Sequence, residues 1–299
     1  MNIINLYENY NSDLKAVFVQ CSKIAAKNDF KLYLIGGMVR DLLLGNESLD
    51  VDITVEDDAI EFAHILEKEI GAKISSVHES FGTVKINING QKIDLASTRS
   101  ESYPKAGHLP HVDKIGCPLK EDVIRRDFTI NALALSLNQE NFADLIDYTG
   151  GFDDLKSKKI RILHDKSFVD DPTRIIRALK YATRLGFELD KKTLKLQQDY
   201  LQNINYDMCY KRVKQEIKKT FEQNSQEAFE KFVEQKIYKL ITKKEIKTPK
   251  INIEKLINKY TPKHIWLVYF GVLAVELNIE LSPTKYEKEV IEGAKKSYQ

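Results

Sequence analysis

The first half of the chain alternates short apolar strands with amphipathic helices. Apolar residues recur at helical spacing over residues 11–29, and a short buried strand, Leu32 to Ile35, then ends at a pair of glycines. The pattern that follows predicts a helix over 39–44, a strand over 50–55 and a helix over 59–70, which Gly71 ends. This alternation indicates a small domain that combines a sheet with packed helices.

The next segment predicts a hairpin and then a long loop. Strand patterns over 84–88 and 92–95 flank Asn89-Gly90, a dipeptide that favours a two-residue hairpin turn. Residues 99–119 show no periodicity and contain several prolines and glycines, so they predict a long polar loop. A helical pattern begins at Phe128 and leads through a short strand to Gly150-Gly151.

The second half of the chain predicts helices almost throughout. Asp171-Pro172 has the residue types of a helix start, and that helix ends at Gly186. Further helical patterns cover 191–201, 208–224, 226–240, 253–259, 265–277 and 285–295. The sequence therefore predicts an α+β domain followed by an all-helical part, and we divide it at 1–150, 151–220 and 221–299.

Charge is distributed unevenly between these parts. Residues 1–150 carry 15 Lys and Arg against 23 Asp and Glu, whereas the remaining residues carry 31 against 21, and the whole chain has a net charge of +2. Acidic clusters hold metal ions and basic surfaces attract phosphate backbones. The lysine clusters at 211–219 and 243–250 would suit RNA, although lysine-rich helices are also ordinary solvated faces.

Cysteine usage and hydropathy predict an intracellular protein. Cys21, Cys117 and Cys209 lie far apart without a paired spacing, which argues against a disulfide framework or a thiolate zinc site. The N-terminal residues are polar and acidic, unlike a secretory signal, and the longest apolar run, 265–275, is too short to span a bilayer. We expect a cytoplasmic protein that contacts no membrane.

Two carboxylates are the first candidates for catalysis. Asp50 and Asp52 are two residues apart on a predicted strand, so both side chains point to the same face. Like charges this close favour a cation between them, and magnesium prefers such hard oxygen ligands. Asp94 lies on another predicted strand and is a candidate third carboxylate, or else the cross-strand partner of a basic residue.

Neighbouring residues strengthen this interpretation. Gly36 and Gly37 follow the first buried strand, and Arg40 lies one helical turn later. Glycines allow the backbone to approach an oxyanion, and a helix N-terminus attracts it. Arg40 could then bind phosphate oxygens.

Three motifs together resemble a known family. The stretches LIGGMVRDLLLG with LDVDITV, RRDFTINALAL, and DDPTRIIRALKYATRLGF occur in this order over residues 30–190. They are similar to class II tRNA nucleotidyltransferases and bacterial poly(A) polymerases, which belong to the polymerase-beta-like nucleotidyltransferases. The resemblance implies a nucleotidyltransferase head with a mixed sheet, then a helical neck and a short helical body or tail that contacts tRNA.

The resemblance also implies roles for the acidic and glycine-rich residues. Asp50 and Asp52 would bind Mg²⁺, whereas Asp94 stays a candidate catalytic carboxylate on the strand pattern alone. Such ions activate the RNA 3′-hydroxyl and neutralise the leaving pyrophosphate during in-line phosphoryl transfer. The nucleotide would contact residues of three motifs, namely Gly36, Gly37, Arg40, Arg126, Asn131, Asp171, Arg174, Arg177 and Lys180.

Asp171 and Arg174 are the predicted base-reading pair. They are three residues apart and share one face of a helical turn. Cytosine and adenine each present an amino donor beside a ring-nitrogen acceptor, which matches one carboxylate beside one guanidinium. Uracil and guanine present the reverse order and would leave both groups mispaired, at about 1–3 kcal/mol each. Lys180 stands where the family has an arginine. This position therefore keeps its positive charge but lacks the planar guanidinium group that can donate two parallel hydrogen bonds.

The predicted activity is template-independent addition of C and A nucleotides, CCA or part of it, to tRNA 3′ ends from CTP and ATP. A poly(A) polymerase that extends RNA with ATP alone is the near alternative, because the same residues would serve it. A non-catalytic RNA-binding protein on the same scaffold is the distant one. The motifs do not separate CCA, CC, A or poly(A) addition, and they do not define tRNA preference or oligomeric state.

Overall fold

The computed structural model describes residues 1–46, 50–223, 225–246, 252–260, 262–277 and 284–298. They form two compact units, which are described separately. The first comprises 1–104, 110–157 and 161–163, and the second comprises 105–109, 158–160 and the chain from His164 onward.

The first unit is built on a seven-stranded mixed sheet. Its elements are α1 (Ile4–Tyr7), α2 (Ser12–Lys27), β1 (Leu32–Ile35), α3 (Gly37–Leu43), β2 (Asp52–Val55), α4 (Ala59–Ile70), β3 (Lys73–His78), β4 (Thr83–Ile88), β5 (Gln91–Ser97), β6 (Arg99–Ser102), β7 (His111–Ile115), α5 (Leu119–Ile124), β8 (Ala134–Ser136), β9 (Leu145–Ile146) and α6 (Gly151–Lys156). The strand order is β3-β4-β5-β2-β1-β8-β9, and β6 and β7 form a separate ribbon. The predicted α+β class is confirmed.

Local chemistry explains where several of these elements begin and end. Asp58 caps α4 by accepting hydrogen bonds from the backbone N–H groups of Ile60 and Glu61. Asn89 and Gly90 both adopt positive φ, 52° and 88°, as a tight turn between twisted strands requires. The antiparallel hairpin of β4 and β5 that the dipeptide predicts is therefore confirmed.

Three predictions for this half of the chain were wrong. Residues 99–119 are not a continuous loop, because β6 and β7 pair within them. The pattern from Phe128 forms only a 3₁₀ turn, Thr129–Asn131, before β8 begins. Strand β2 begins at Asp52, so Asp50 precedes it. The edge strand β3 was not predicted, because its side chains are mostly exposed and so lack an apolar alternation.

The second unit is almost entirely helical. Its elements are β10 (Lys159–Ile160), α7 (Ser167–Asp170), α8 (Thr173–Leu185), β11 (Glu188–Leu189), α9 (Lys191–Gln202), α10 (Tyr210–Phe221), α11 (Gln226–Glu234), α12 (Ile253–Tyr260), α13 (Trp266–Leu277) and α14 (Lys285–Tyr298). Phe221 stacks on Tyr269 at a centroid distance of 5.0 Å in its aromatic core. In the described part of the chain, the helices fall short of the length and apolarity that crossing a membrane requires.

A buried carboxylate joins α14 to α10. Glu287 is 4% exposed and accepts hydrogen bonds from the ammonium groups of Lys214 and Lys218, the latter at 2.7 Å. Burial alone would raise the pKa of Glu287, but the two lysines outweigh it and lower the pKa to about 2. The Lys218 ammonium also lies 4.1 Å from the ring centroid of Trp266.

We expect the ion pairs of Glu287 with Lys214 and Lys218 to weaken in acid. Because the pKa of Glu287 is lowered in the folded protein, its stabilising contribution is present above pH 4.5 and is lost as the pH falls towards 2. Trp266 is the only tryptophan, so its fluorescence reports on the loss. Glu287→Gln should remove this acid step and lower the free energy of unfolding at pH 7 by about 1–3 kcal/mol.

The exposed pair of Glu227 and Lys231 on α11 provides the control. Glu227→Gln should leave both the acid step and the stability unchanged, because exposed ion pairs contribute little. An acid transition at Trp266 that persists in Glu287→Gln would contradict this assignment.

Candidate functional site

The sheet of the first unit brings three carboxylates to one region. Strands β2 and β5 are parallel, and Asp52 is the register partner of Asp94. The Asp94 N–H donates a hydrogen bond to the carbonyl oxygen of Val51 at 2.9 Å, between Asp50 and Asp52 in sequence. Burial raises the pKa of Asp52, and the negative charges of Asp94 and Asp50 raise it further. The folded protein therefore carries an unfavourable concentration of negative charge here.

A cavity of about 290 Å³ opens beside these carboxylates. Asp52 and Asp94 line it together with the basic side chains of Lys85 and Arg126. Acidic and basic groups thus face the same space, which is the arrangement needed to bind a cation and a polyphosphate together.

The predicted glycine pair lies next to this arginine. Gly36 has a φ of +74°, a conformation that residues with a Cβ rarely adopt, and it precedes the first residue of α3. A Cβ at Gly36 would lie 3.6 Å from Nη1 of Arg126, so the glycine permits a close approach of backbone and guanidinium. Gly37 begins α3 directly after it.

Arg126 is held in place by a buried aspartate that the sequence analysis missed. The fully buried Asp122 accepts hydrogen bonds from Nε and Nη2 of Arg126 at 3.2 and 2.8 Å. Its other oxygen accepts from Arg125, which also pairs with Glu101. Although burial alone would raise the pKa of Asp122, the two arginines lower it. The position of Asp122, one helical turn before Arg126, was the available sequence signal.

Arg40 and Asn131 are brought together, but below the surface. Arg40 is 2% exposed, and its guanidinium donates to both carboxylate oxygens of Asp41 and to Oδ1 of Asn131. The Nδ2 of Asn131 donates to Asp127, which also accepts from the N–H of Phe128. These contacts hold the 3₁₀ turn Thr129–Asn131 against α3, and direct nucleotide contact by Arg40 or Asn131 stays a prediction.

The predicted base-reading residues lie in the second unit. Asp171 and Arg174 are each 5% exposed at the start of α8. One Asp171 oxygen accepts from the N–H and hydroxyl of Thr173, and the other accepts from the guanidinium of Arg212. The same Arg212 donates to the carbonyl oxygen of His108 at 3.2 Å. Arg212 was grouped with the basic clusters in the sequence, and its contact with Asp171 was missed.

Arg174 and the two later basic residues have partners within the same unit. Arg174 donates to the hydroxyl of Ser167 at 2.7 Å. Lys180 lies 3.0 Å from a carboxylate oxygen of Glu216, and Arg177 lies 3.7 Å from the other. Burial lowers the pKa of Lys180, whereas the basic neighbours outweigh burial at Glu216 and lower its pKa.

Several side chains of the basic clusters have partners within the protein. Lys214 and Lys218 pair with Glu287, and Lys219 lies 3.4 Å from Glu216. The Lys243 ammonium lies 4.9 Å from the ring centroid of Tyr206. Lys247 and Lys250 lie outside the described residues.

The chain resembles known proteins in both sequence and structure. Residues 32–161 match the family described as the poly A polymerase head domain. The A-adding tRNA nucleotidyltransferase of Aquifex aeolicus is 50% identical over 166 residues, which are 56% of this chain and 20% of that protein. The chain spans between a fifth and about half of the length of the first three curated relatives.

Solved structures cover nearly the whole chain. An apo form of a CCA-adding enzyme superposes with a TM-score of 0.85 at 28% identity, over 99% of this chain and 74% of that one. A tRNA nucleotidyltransferase complexed with a primer tRNA and an incoming ATP analog superposes with a TM-score of 0.73 at 31% identity, over 93% of this chain and 82% of that one. The chain therefore belongs to the family of class II tRNA nucleotidyltransferases and bacterial poly(A) polymerases.

Proposed function

We propose that this protein is a template-independent nucleotidyltransferase that adds C and A nucleotides to tRNA 3′ ends and releases pyrophosphate. The observation that carries the proposal is the cavity that Asp52, Asp94 and Arg126 line beside Gly36. Phosphoryl transfer needs carboxylates for a metal and positive groups for a triphosphate, and this cavity has both. The names of the relatives support tRNA as the acceptor and CTP and ATP as the substrates.

The family implies a divalent metal, and we propose Mg²⁺ on Asp50 and Asp52. No group of three His, Cys, Asp or Glu among the residues described by the structure forms a complete metal site. That donor set fits magnesium, which takes one or two carboxylates and fills its other positions with water and phosphate oxygens. When bound, the metal would lower the pKa of the RNA 3′-hydroxyl and neutralise charge on the phosphates.

The other residues would position the reactants. Arg126, fixed by Asp122, would hold the triphosphate against the backbone of Gly36 and Gly37. Asp94 would be the third carboxylate of the site, beside Asp50 and Asp52. The 3′-hydroxyl would then release its proton to water, and its oxygen would bond to the α-phosphorus as the bond to pyrophosphate breaks.

We assign base reading to Asp171 and Arg174, with Arg177 and Lys180 as further basic residues of that motif. Their burial supports the assignment, because a mispaired group costs more in a site from which water is excluded. We further propose that 1–150 is the catalytic head, 151–220 the neck and 221–299 a body or tail that contacts tRNA. A cytoplasmic location stays a prediction.

Addition of the terminal A alone is the second candidate. The Aquifex aeolicus relative, at 50% identity, is named an A-adding enzyme. Asp171 and Arg174 match adenine and cytosine alike, so base reading permits both activities. The near alternative of a poly(A) polymerase uses the same residues and differs only in where addition stops.

The products distinguish these activities directly. The protein is incubated with Mg²⁺ and tRNA transcripts that end before CCA, after the first C or after CC, with CTP, ATP or both. Sequenced 3′ ends should show CCA addition for the first candidate, or a single A on the CC transcript for the second. A long A tract on many RNAs would identify a poly(A) polymerase, and failure to incorporate any nucleotide would contradict all three.

A further inference from the structure

Lys85 forms an ion pair with Asp94, the carboxylate beside the proposed metal ligand Asp52. The Lys85 ammonium lies 2.7 Å from Oδ2 of Asp94, and the two residues are register partners on β4 and β5. Asp94 is in turn the register partner of Asp52 on β2. The three side chains therefore lie side by side across neighbouring strands and line the same cavity.

This ion pair is exchangeable rather than fixed. The side chains of Lys85 and Asp94 are 58% and 50% exposed, and exposed pairs are weak because water and salt compete for both partners. By contrast, Arg126, which lines the same cavity, is 21% exposed and is held by the fully buried Asp122. The cavity thus contains one basic side chain in a fixed position, Arg126, and one that can change partners, Lys85.

The flexible side chain of Lys85 has a second partner available. Its ammonium sits on a four-carbon stem, so it can leave Asp94 and remain at the cavity wall. A nucleotide bound in this cavity brings a triphosphate with several negative oxygens. A divalent metal ion that binds to the carboxylates would repel the ammonium group of Lys85, whereas the triphosphate would attract that group.

We propose that Lys85 is the resting counter-cation of the catalytic carboxylates and exchanges from Asp94 to the nucleotide triphosphate when a divalent metal binds. Lys85 is then a positioning residue in the free protein and a phosphate ligand in the loaded one. The inference rests on the proposed function, since it takes the cavity as the nucleotide and metal site.

Direct metal binding tests the exchange. Binding of Mn²⁺ to the full chain, without nucleotide or tRNA, is measured by electron paramagnetic resonance. In Lys85→Met the competing charge is lost, so we expect about three- to tenfold tighter Mn²⁺ binding. The KM for ATP should rise by about the same factor, because a phosphate ligand is lost. If Lys85 only supported the fold, its loss would weaken the binding of both Mn²⁺ and ATP. Tighter Mn²⁺ binding together with a higher KM for ATP therefore identifies the exchange.

Two variants control for charge and location. Lys85→Arg keeps the charge and should bind Mn²⁺ within about twofold of the unmodified protein. Lys92→Met removes a positive charge two residues from Asp94 on the same face of β5, at a residue that does not line the cavity. It should change Mn²⁺ affinity much less than Lys85→Met does.

The outcomes separate this inference from the proposed function. If Asp52→Asn abolishes Mn²⁺ binding while Lys85→Met behaves like Lys92→Met, the exchange is wrong and the metal assignment stands. If Asp52→Asn leaves Mn²⁺ binding unchanged, the metal assignment fails and this inference fails with it. The exchange would be established if Lys85→Met binds Mn²⁺ more tightly and has a higher KM for ATP, while Asp52→Asn no longer binds Mn²⁺.

Discussion

Asp52→Asn is expected to reduce nucleotide incorporation on the order of a thousandfold or more while the protein stays folded. The amide keeps the shape of the side chain but removes the negative charge that a metal ligand needs. Because burial and neighbouring carboxylates raise the pKa of Asp52, its ionised form is disfavoured in the folded protein. The variant should therefore unfold at the same temperature as the unmodified protein or at a higher one.

The sign of this stability effect follows from the raised pKa. Stability linked to Asp52 is fully present below its ordinary pKa of 3.8 and is lost as the pH rises through the higher folded value. At neutral pH the charged side chain thus opposes folding, and the asparagine relieves that cost. The gain in stability should shrink as the pH falls through the raised folded pKa towards 3.8, and it should vanish below 3.8, where Asp52 is protonated in both states.

Incorporation of a labelled nucleotide and thermal unfolding are the two measurements. Asp153→Asn, at a side chain that is 88% exposed, makes the same chemical change away from the cavity and should match the unmodified protein in both. Near-normal turnover by Asp52→Asn would contradict the catalytic assignment. A large drop in its unfolding temperature would instead show that the charge supports the fold.

Elements with local signals could be predicted from the sequence. The helix α4 has the predicted bounds and Gly71 ends it, and Gly186 ends α8 as expected. Strand β1 has the predicted bounds because four consecutive apolar residues lie in the centre of the sheet. In each case the residues that determine the element lie within it or at its ends.

Elements and contacts that depend on distant residues could not be predicted. The strands β6 and β7 are polar and partly exposed, so their pairing leaves no alternation to detect. Arg212 reaches Asp171 across 41 residues, a contact that no local pattern indicates. A cross-strand basic partner for Asp94 was one of the two predicted roles of that residue, and the hairpin register identifies the partner as Lys85. Motifs therefore indicated the site residues, whereas their buried supports became visible only in three dimensions.

Arg212→Met is expected to weaken selection of ATP and CTP over UTP and GTP by about five- to a hundredfold. Arg212 donates to one oxygen of Asp171 while Thr173 donates to the other, and together they fix the plane of the carboxylate. Without the guanidinium, the carboxylate can turn and no longer presents a defined acceptor to the base. Incorporation of the correct nucleotides should fall less than discrimination does.

A double-mutant cycle locates this effect at Asp171. Asp171→Ala alone should lose discrimination at least as strongly, and adding Arg212→Met to it should change little more, because both substitutions remove one interaction. Lys211→Met removes a neighbouring exposed charge from the same helix and should preserve discrimination. Additive losses in the double variant would show that Arg212 acts elsewhere, for example through the carbonyl group of His108 that it also contacts.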